Sequence, residues 1–95
     1  MRMWMVDPAI MCRAHLLGEH RELHALCGII RNEISIQGYL DNGLLELRAI
    51  GHRHELLVSE MTNRGYSHKT PWDGFNPLVY GLKDYGVVDR QLSFL

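Results

Sequence analysis

Ninety-five residues, 46% of them apolar, with a formal charge of −1, allow a single domain with one modest core over residues 1–95 and leave no room for a second. That near-neutral balance gives no electrostatic footprint of nucleic-acid binding by itself. Two cysteines, Cys12 and Cys27, are too few and too far apart for a secreted disulfide framework, and they read as free, reduced core thiols.

Residues 1–6 are apolar apart from Arg2 and predict a loose N-terminal arm. Asp7 and Pro8 follow as a cap and a helix-first proline, which open a helical turn. They also break the apolar run before it reaches the length of a signal peptide or a membrane span, so the sequence reads as that of a cytoplasmic protein.

From Arg13 to Arg31 the residues Leu16, His20, Leu23, Cys27 and Ile30 recur at fours and threes, the stripe of one long helix. His15, Glu19 and Glu22 share a second, polar face. Gly18 and Gly28 sit inside this helix, each costing about 1 kcal/mol against alanine. Both suggest close approach of a backbone or a ligand, and Gly28 fits helix packing best.

Residues 37–43 carry turn chemistry ending in Asn42-Gly43 and predict a loop between helices. A second helix follows over 46–63, with Leu47, Ile50, His54, Leu57 and Met61 on its apolar stripe and Arg64-Gly65 as a basic last turn and stop. Glu60 and Arg64 are spaced for a surface pair worth tenths of a kcal/mol. Beyond Tyr66, Pro71, Gly74 and Pro77 are mixed with Trp72, Phe75, Tyr80 and Tyr85, an irregular aromatic segment that wraps the helices. Asp89 is placed to cap a short last helix. The fold class is therefore all-α, a single compact domain of two main helices plus a short C-terminal helix and the aromatic segment.

The chemistry concentrates in Arg13-Ala14-His15-Leu16-Leu17-Gly18-Glu19-His20-Arg21-Glu22-Leu23-His24, where seven of twelve residues are ionisable. A solvated helix face is the plainest account. A metal site is a second, because His20 and His24 lie one turn apart as zinc ligands often do. Against it, the metalloprotease pattern needs glutamate directly after the first histidine, where Arg21 stands. A site that handles a polyanion is the third. Arg21 beside Glu22 with His15 two turns back sets a carboxylate among phosphate-binding groups, and a carboxylate on such a face weakens binding unless it does chemistry. Eight of the ten basic residues are arginine, the side chain suited to bidentate phosphate contact.

Three blocks carry a resemblance. Met1-Arg2-Met3-Trp4-Met5-Val6-Asp7-Pro8, then Cys12-Arg13-Ala14-His15-Leu16-Leu17-Gly18-Glu19-His20-Arg21-Glu22-Leu23-His24, and Arg64-Gly65-Tyr66-Ser67-His68-Lys69-Thr70-Pro71 resemble the pyrimidine-dimer DNA glycosylase/AP-lyase family of the phage endonuclease V type. The likeness covers roughly the first three quarters of the chain. It implies that the nucleophile is the α-amine of Met1, retained because Arg2 is too large for methionine removal, and that Glu22 is the catalytic acid. It places His15 and Arg21 where the family holds DNA near the lesion. Arg2, Arg13, His68 and Lys69 complete the expected phosphate contacts.

An α-amine ordinarily titrates at about 7.7–8.0, against about 10.4 for lysine, so more of it is neutral and nucleophilic near pH 7. The implied reaction is attack on the sugar C1′, expulsion of the base, and an imine that undergoes β-elimination, with no metal and no cofactor. The implied partner is double-stranded DNA carrying a pyrimidine dimer or another modified pyrimidine, kinked so that a nucleotide leaves the stack. A monomer in the cytoplasm, associated with the nucleoid, is expected. Ala14 departs from the family, whose members carry a longer polar side chain there. The alternative is a catalytically silent DNA-binding relative with a regulatory or inhibitory role.

Overall fold

The computed structural model describes residues 1–67 and 85–88, and within them every regular element is helical. A short 3-10 turn, Pro8–Ile10, leads into α1 (Arg13–Arg31); α2 (Gln37–Asp41) and a second 3-10 turn, Leu47–Ala49, precede α3 (Ile50–Asn63). The all-α expectation holds. The expected C-terminal helix after Asp89, along with Trp72, Phe75 and Tyr80, lies outside the described residues.

Helix α1 keeps the bounds its periodicity predicts. Leu16, Leu23, Cys27 and Ile30 are buried along one stripe, and Leu26 joins them. From α3, Ile50, Leu57 and Met61 close the other half of the core, so the two long helices pack face to face, as amphipathic helices must to bury their stripes.

The three α-helices among the described residues stop in the same way. At the end of α1, Glu33 adopts φ 56° while Ile34 N donates to Ile29 O at 3.1 Å. Gly43 at φ 67° and Gly65 at φ 81° repeat the left-handed turn after α2 and α3, with Leu44 N donating to Tyr39 O at 3.0 Å and Tyr66 N to Met61 O at 2.9 Å. Each is the six-to-one bond of a Schellman close. The Asn42-Gly43 and Arg64-Gly65 signals therefore mark helix ends. In the first case that corrects the reading of 37–43 as a plain loop, because five of its residues form α2. The helix predicted over 46–63 is likewise divided, with a 3-10 turn at Leu47–Ala49 before α3 begins.

The N-terminal arm is not loose. Met3 is fully buried, and its amide donates to Leu44 O at 2.8 Å. Met5 takes φ 55°, a conformation that non-glycine residues hold only when their surroundings insist. Asp7 caps Pro8–Ile10 as predicted, accepting from Ala9 N at 2.9 Å. Arg64 then ties the turn to α3: it pairs with Glu60 at 2.7 Å, and its Nη2 donates to Met11 O at 2.7 Å and Pro8 O at 3.1 Å. A pair that reads in the sequence as a surface ornament is thus a clasp. At the far end of the described chain, Leu47 N donates to Tyr85 O at 2.8 Å and Val88 N to Glu46 Oε1 at 3.2 Å. Gly86 sits between them at φ 78°, where a Cβ would collide with the Leu45 carbonyl.

Candidate active-site cleft

The arm crosses the N-terminal half of α1, and between them lies an open cleft of about 180 Å³. Positions 14, 15, 18, 19 and 22 fall on one face of α1 by the helical period, and all of them line this cleft together with Met1, Arg2 and Trp4 from the arm. Ala14 and Gly18 leave its floor low. Among the described residues, no atom outside the helix's own backbone and the adjoining residues lies within 4 Å of where a Gly18 side chain would begin. The same is true at Gly28, so no described residue packs against that position as the packing reading expects.

Glu22 is half-buried, and its Oε2 accepts from the amide of Arg2 at 3.4 Å. The Met1 amine is one residue before that amide, and one residue spans at most about 3.6 Å. The amine and the carboxylate are therefore within about 7 Å of each other. The Arg2 guanidinium stacks on the Trp4 ring at 4.0 Å, and Trp4 meets the edge of His15 at 5.1 Å. Met1, Arg2, His15 and Glu22 are thus brought together. Arg13 and Arg21 are exposed on the same half of α1 but outside the cleft lining, Arg13 lying over the Tyr66 ring at 5.3 Å. His68 and Lys69 fall outside the described residues.

Glu19 corrects the sequence reading. Expected on the polar face beside Glu22, it is 1% exposed and forked by Arg53 of α3, with Nε–Oε2 at 2.6 Å and Nη2–Oε1 at 2.9 Å. Its Oε1 also accepts from Trp4 N at 3.1 Å, while Arg53 Nη1 donates to Val6 O at 2.6 Å. One buried ion pair thereby fastens the arm to both long helices. Arg53 was legible in principle: it stands three residues after Ile50 and four before Leu57, on the buried stripe of α3. With Glu19 paired to Arg53, Glu22 is the carboxylate left to face the cleft among the described residues.

Cys12 also departs from expectation, since it is exposed while Cys27 is buried; both are free. Its Sγ is 2.8 Å from His15 Nδ1. This hydrogen bond is the main reason the thiol titrates below its ordinary range, and the His15 backbone adds to it. The thiolate form therefore persists to lower pH than in an ordinary cysteine, which raises reactivity there. Iodoacetamide is expected to modify Cys12 well before Cys27 in native protein, with the Cys12 rate retained to lower pH than that of an ordinary cysteine. Peptide mapping checks both, and equal labelling of the two thiols would contradict the geometry.

Helix and cleft together define a small domain, helical throughout its described elements, that sets Met1 and the Glu22 carboxylate on one open surface beside Arg2. The chain belongs to the pyrimidine dimer DNA glycosylase family, whose profile matches residues 1–74. Comparison with curated proteins and with solved structures returns no match. The family's enzyme class is DNA glycosylase and its substrate class is DNA. No helix among the described residues is long and apolar enough to cross a membrane.

Proposed function

We propose that the protein is a DNA glycosylase with AP-lyase activity that removes a dimerised or otherwise modified pyrimidine through an imine on the α-amine of Met1. The observation that supports it is the sharing of one cleft by Met1 and Glu22, with the carboxylate hydrogen-bonded one residue from the amine. As the amine nitrogen bonds to C1′, the glycosidic bond breaks and the base leaves with its electron pair, to be protonated. The sugar ring opens to the imine. Loss of a C2′ proton then expels the 3′ phosphate, and water releases the enzyme. Glu22 stabilises the positive charge that develops on the sugar and afterwards moves protons at O4′ and C2′.

Phosphate contacts come from Arg2 and His15 at the cleft and from Arg13 and Arg21 on the exposed surface of α1, with His68 and Lys69 as further members of the set. Clustered arginines on one half of one helix let a chain of net charge −1 present a locally positive face.

Borohydride trapping on a duplex with an abasic site tests the proposal. A covalent adduct that mass spectrometry maps to the amine of Met1 is the expected product. Extending the chain by a few residues before Met1 converts the amine to an amide and displaces the new terminus by several ångströms, so the adduct should disappear. Trapping at a lysine, or undiminished trapping with the extended chain, would refute the assignment. Duplex binding with no adduct at all would instead favour the silent DNA-binding relative.

A further inference from the structure

We propose that His20 and His24 of α1 and His54 of α3 form a binding site for a single divalent transition-metal ion, with zinc the best chemical fit. The site lies in the seam between the two long helices. It is distinct from the cleft: positions 20 and 24 each lie about 200° around α1 from Glu22 at 100° per residue. The three rings form a nearly equilateral triangle, with every pair of centroids 4.9 Å apart. One nitrogen of each lies within 4.8 Å of one nitrogen of both others. Zinc–nitrogen bonds of about 2.0–2.1 Å in a tetrahedron hold nitrogens about 3.4 Å apart. His24 Nε2 and His54 Nε2, at 3.1 Å, already have nearly that spacing, and a ring nitrogen of His20 lies within 4.8 Å of the ligand nitrogens of both.

The outer side of the cluster is arranged for the same purpose. His54 Nδ1 is 3.0 Å from Glu55 Oε1, the carboxylate–imidazole contact that accompanies metal-bound histidine. It keeps the proton on Nδ1 and directs the Nε2 lone pair inward. His54 is 1% exposed, whereas His20 and His24 are half-buried, so an ion can enter from solvent and keep a water in the fourth position. Imidazole donors without thiolate or carboxylate select zinc and its neighbours over magnesium or calcium. Arg21, the residue that argues against a metal in the sequence, is exposed. The third ligand comes from thirty residues further on. Bound there, the ion would fasten α1, which carries Glu22, to α3.

The test uses the full chain stripped with chelator and then given Zn²⁺, with Co²⁺ as a spectroscopic probe and no DNA present, so its outcome is independent of the glycosylase reading. Calorimetry is expected to give one Zn²⁺ per chain, and excess metal near 100 times Kd is expected to raise Tm by roughly 10 °C or more. Co²⁺ should show the intense visible bands of a tetrahedral site. H24A, at a half-exposed position that leaves folding intact, should weaken binding at least ~100-fold, and E55Q about 10-fold. C12S, which removes the thiol of the exposed Cys12–His15 pair, should leave binding unchanged. Absence of saturable binding, or one equivalent that survives H24A or vanishes in C12S, overturns the proposal; the three rings would then be held by the His24–His54 hydrogen bond and ring contacts.

Discussion

Replacing Glu22 with glutamine should reduce base release and strand nicking by at least ~100-fold while leaving duplex affinity nearly unchanged. The substitution keeps the size of the side chain, and its amide oxygen still accepts from the Arg2 amide that Glu22 engages at 3.4 Å. In the proposed mechanism it removes the negative charge opposite the developing cation on the sugar and the capacity to move a proton, each of which would contribute a factor of this order or larger. Because Glu22 is half-buried and outside the core, the variant should melt within about 0.5 kcal/mol of the parent. Single-turnover cleavage and binding by anisotropy, measured on the same preparation, decide the matter. A parallel fall in binding would make Glu22 a structural residue, and retained cleavage would move the acid role elsewhere.

How much of this was readable beforehand depends on which physical term fixes each feature. The bounds of α1 and the burial of Leu16, Leu23, Cys27 and Ile30 follow from local periodicity, which needs no knowledge of the partner helix. Helix stops at Gly43 and Gly65 are equally local, although the same glycine chemistry at Asn42-Gly43 reads as a loop because α2 is too short, at Gln37–Asp41, to show a period. The nearness of Met1 to Glu22 was expected from a resemblance, while the reason for it was not visible. That reason is long-range: Glu19 and Arg53, separated by 34 positions, each look like a solvated charge until the helices are packed. The histidine triangle behaves the same way, with two members one turn apart on α1 and a third that only tertiary packing supplies. Period arguments assign charged residues to the outside by default, so buried charge pairs are the class of feature they miss.

The pair that escaped notice should also be the most sensitive point in the fold. Glu19→Gln is expected to destabilise the protein by about 3–5 kcal/mol, because Arg53, only 2% exposed, would keep its charge without the carboxylate that forks it. For a chain of this length that corresponds to a fall in Tm of roughly 12 °C or more. Simple loss of folding would say little about cause, so the informative comparison is with the double variant Glu19→Leu, Arg53→Met, in which neither charge remains. Apolar replacements of similar volume often match a buried ion pair in stability, and the double variant should recover much of the loss. It cannot recover the arm: Trp4 N and Val6 O would each lose a partner, and with them the constraint that keeps Met1 near Glu22. The expected signature is a folded double variant with Tm well above that of Glu19→Gln and yet with much weaker borohydride trapping. If the double variant trapped at the parental rate, the ion pair would serve stability alone, and the arm would owe its position to Met3 and the Arg64 clasp.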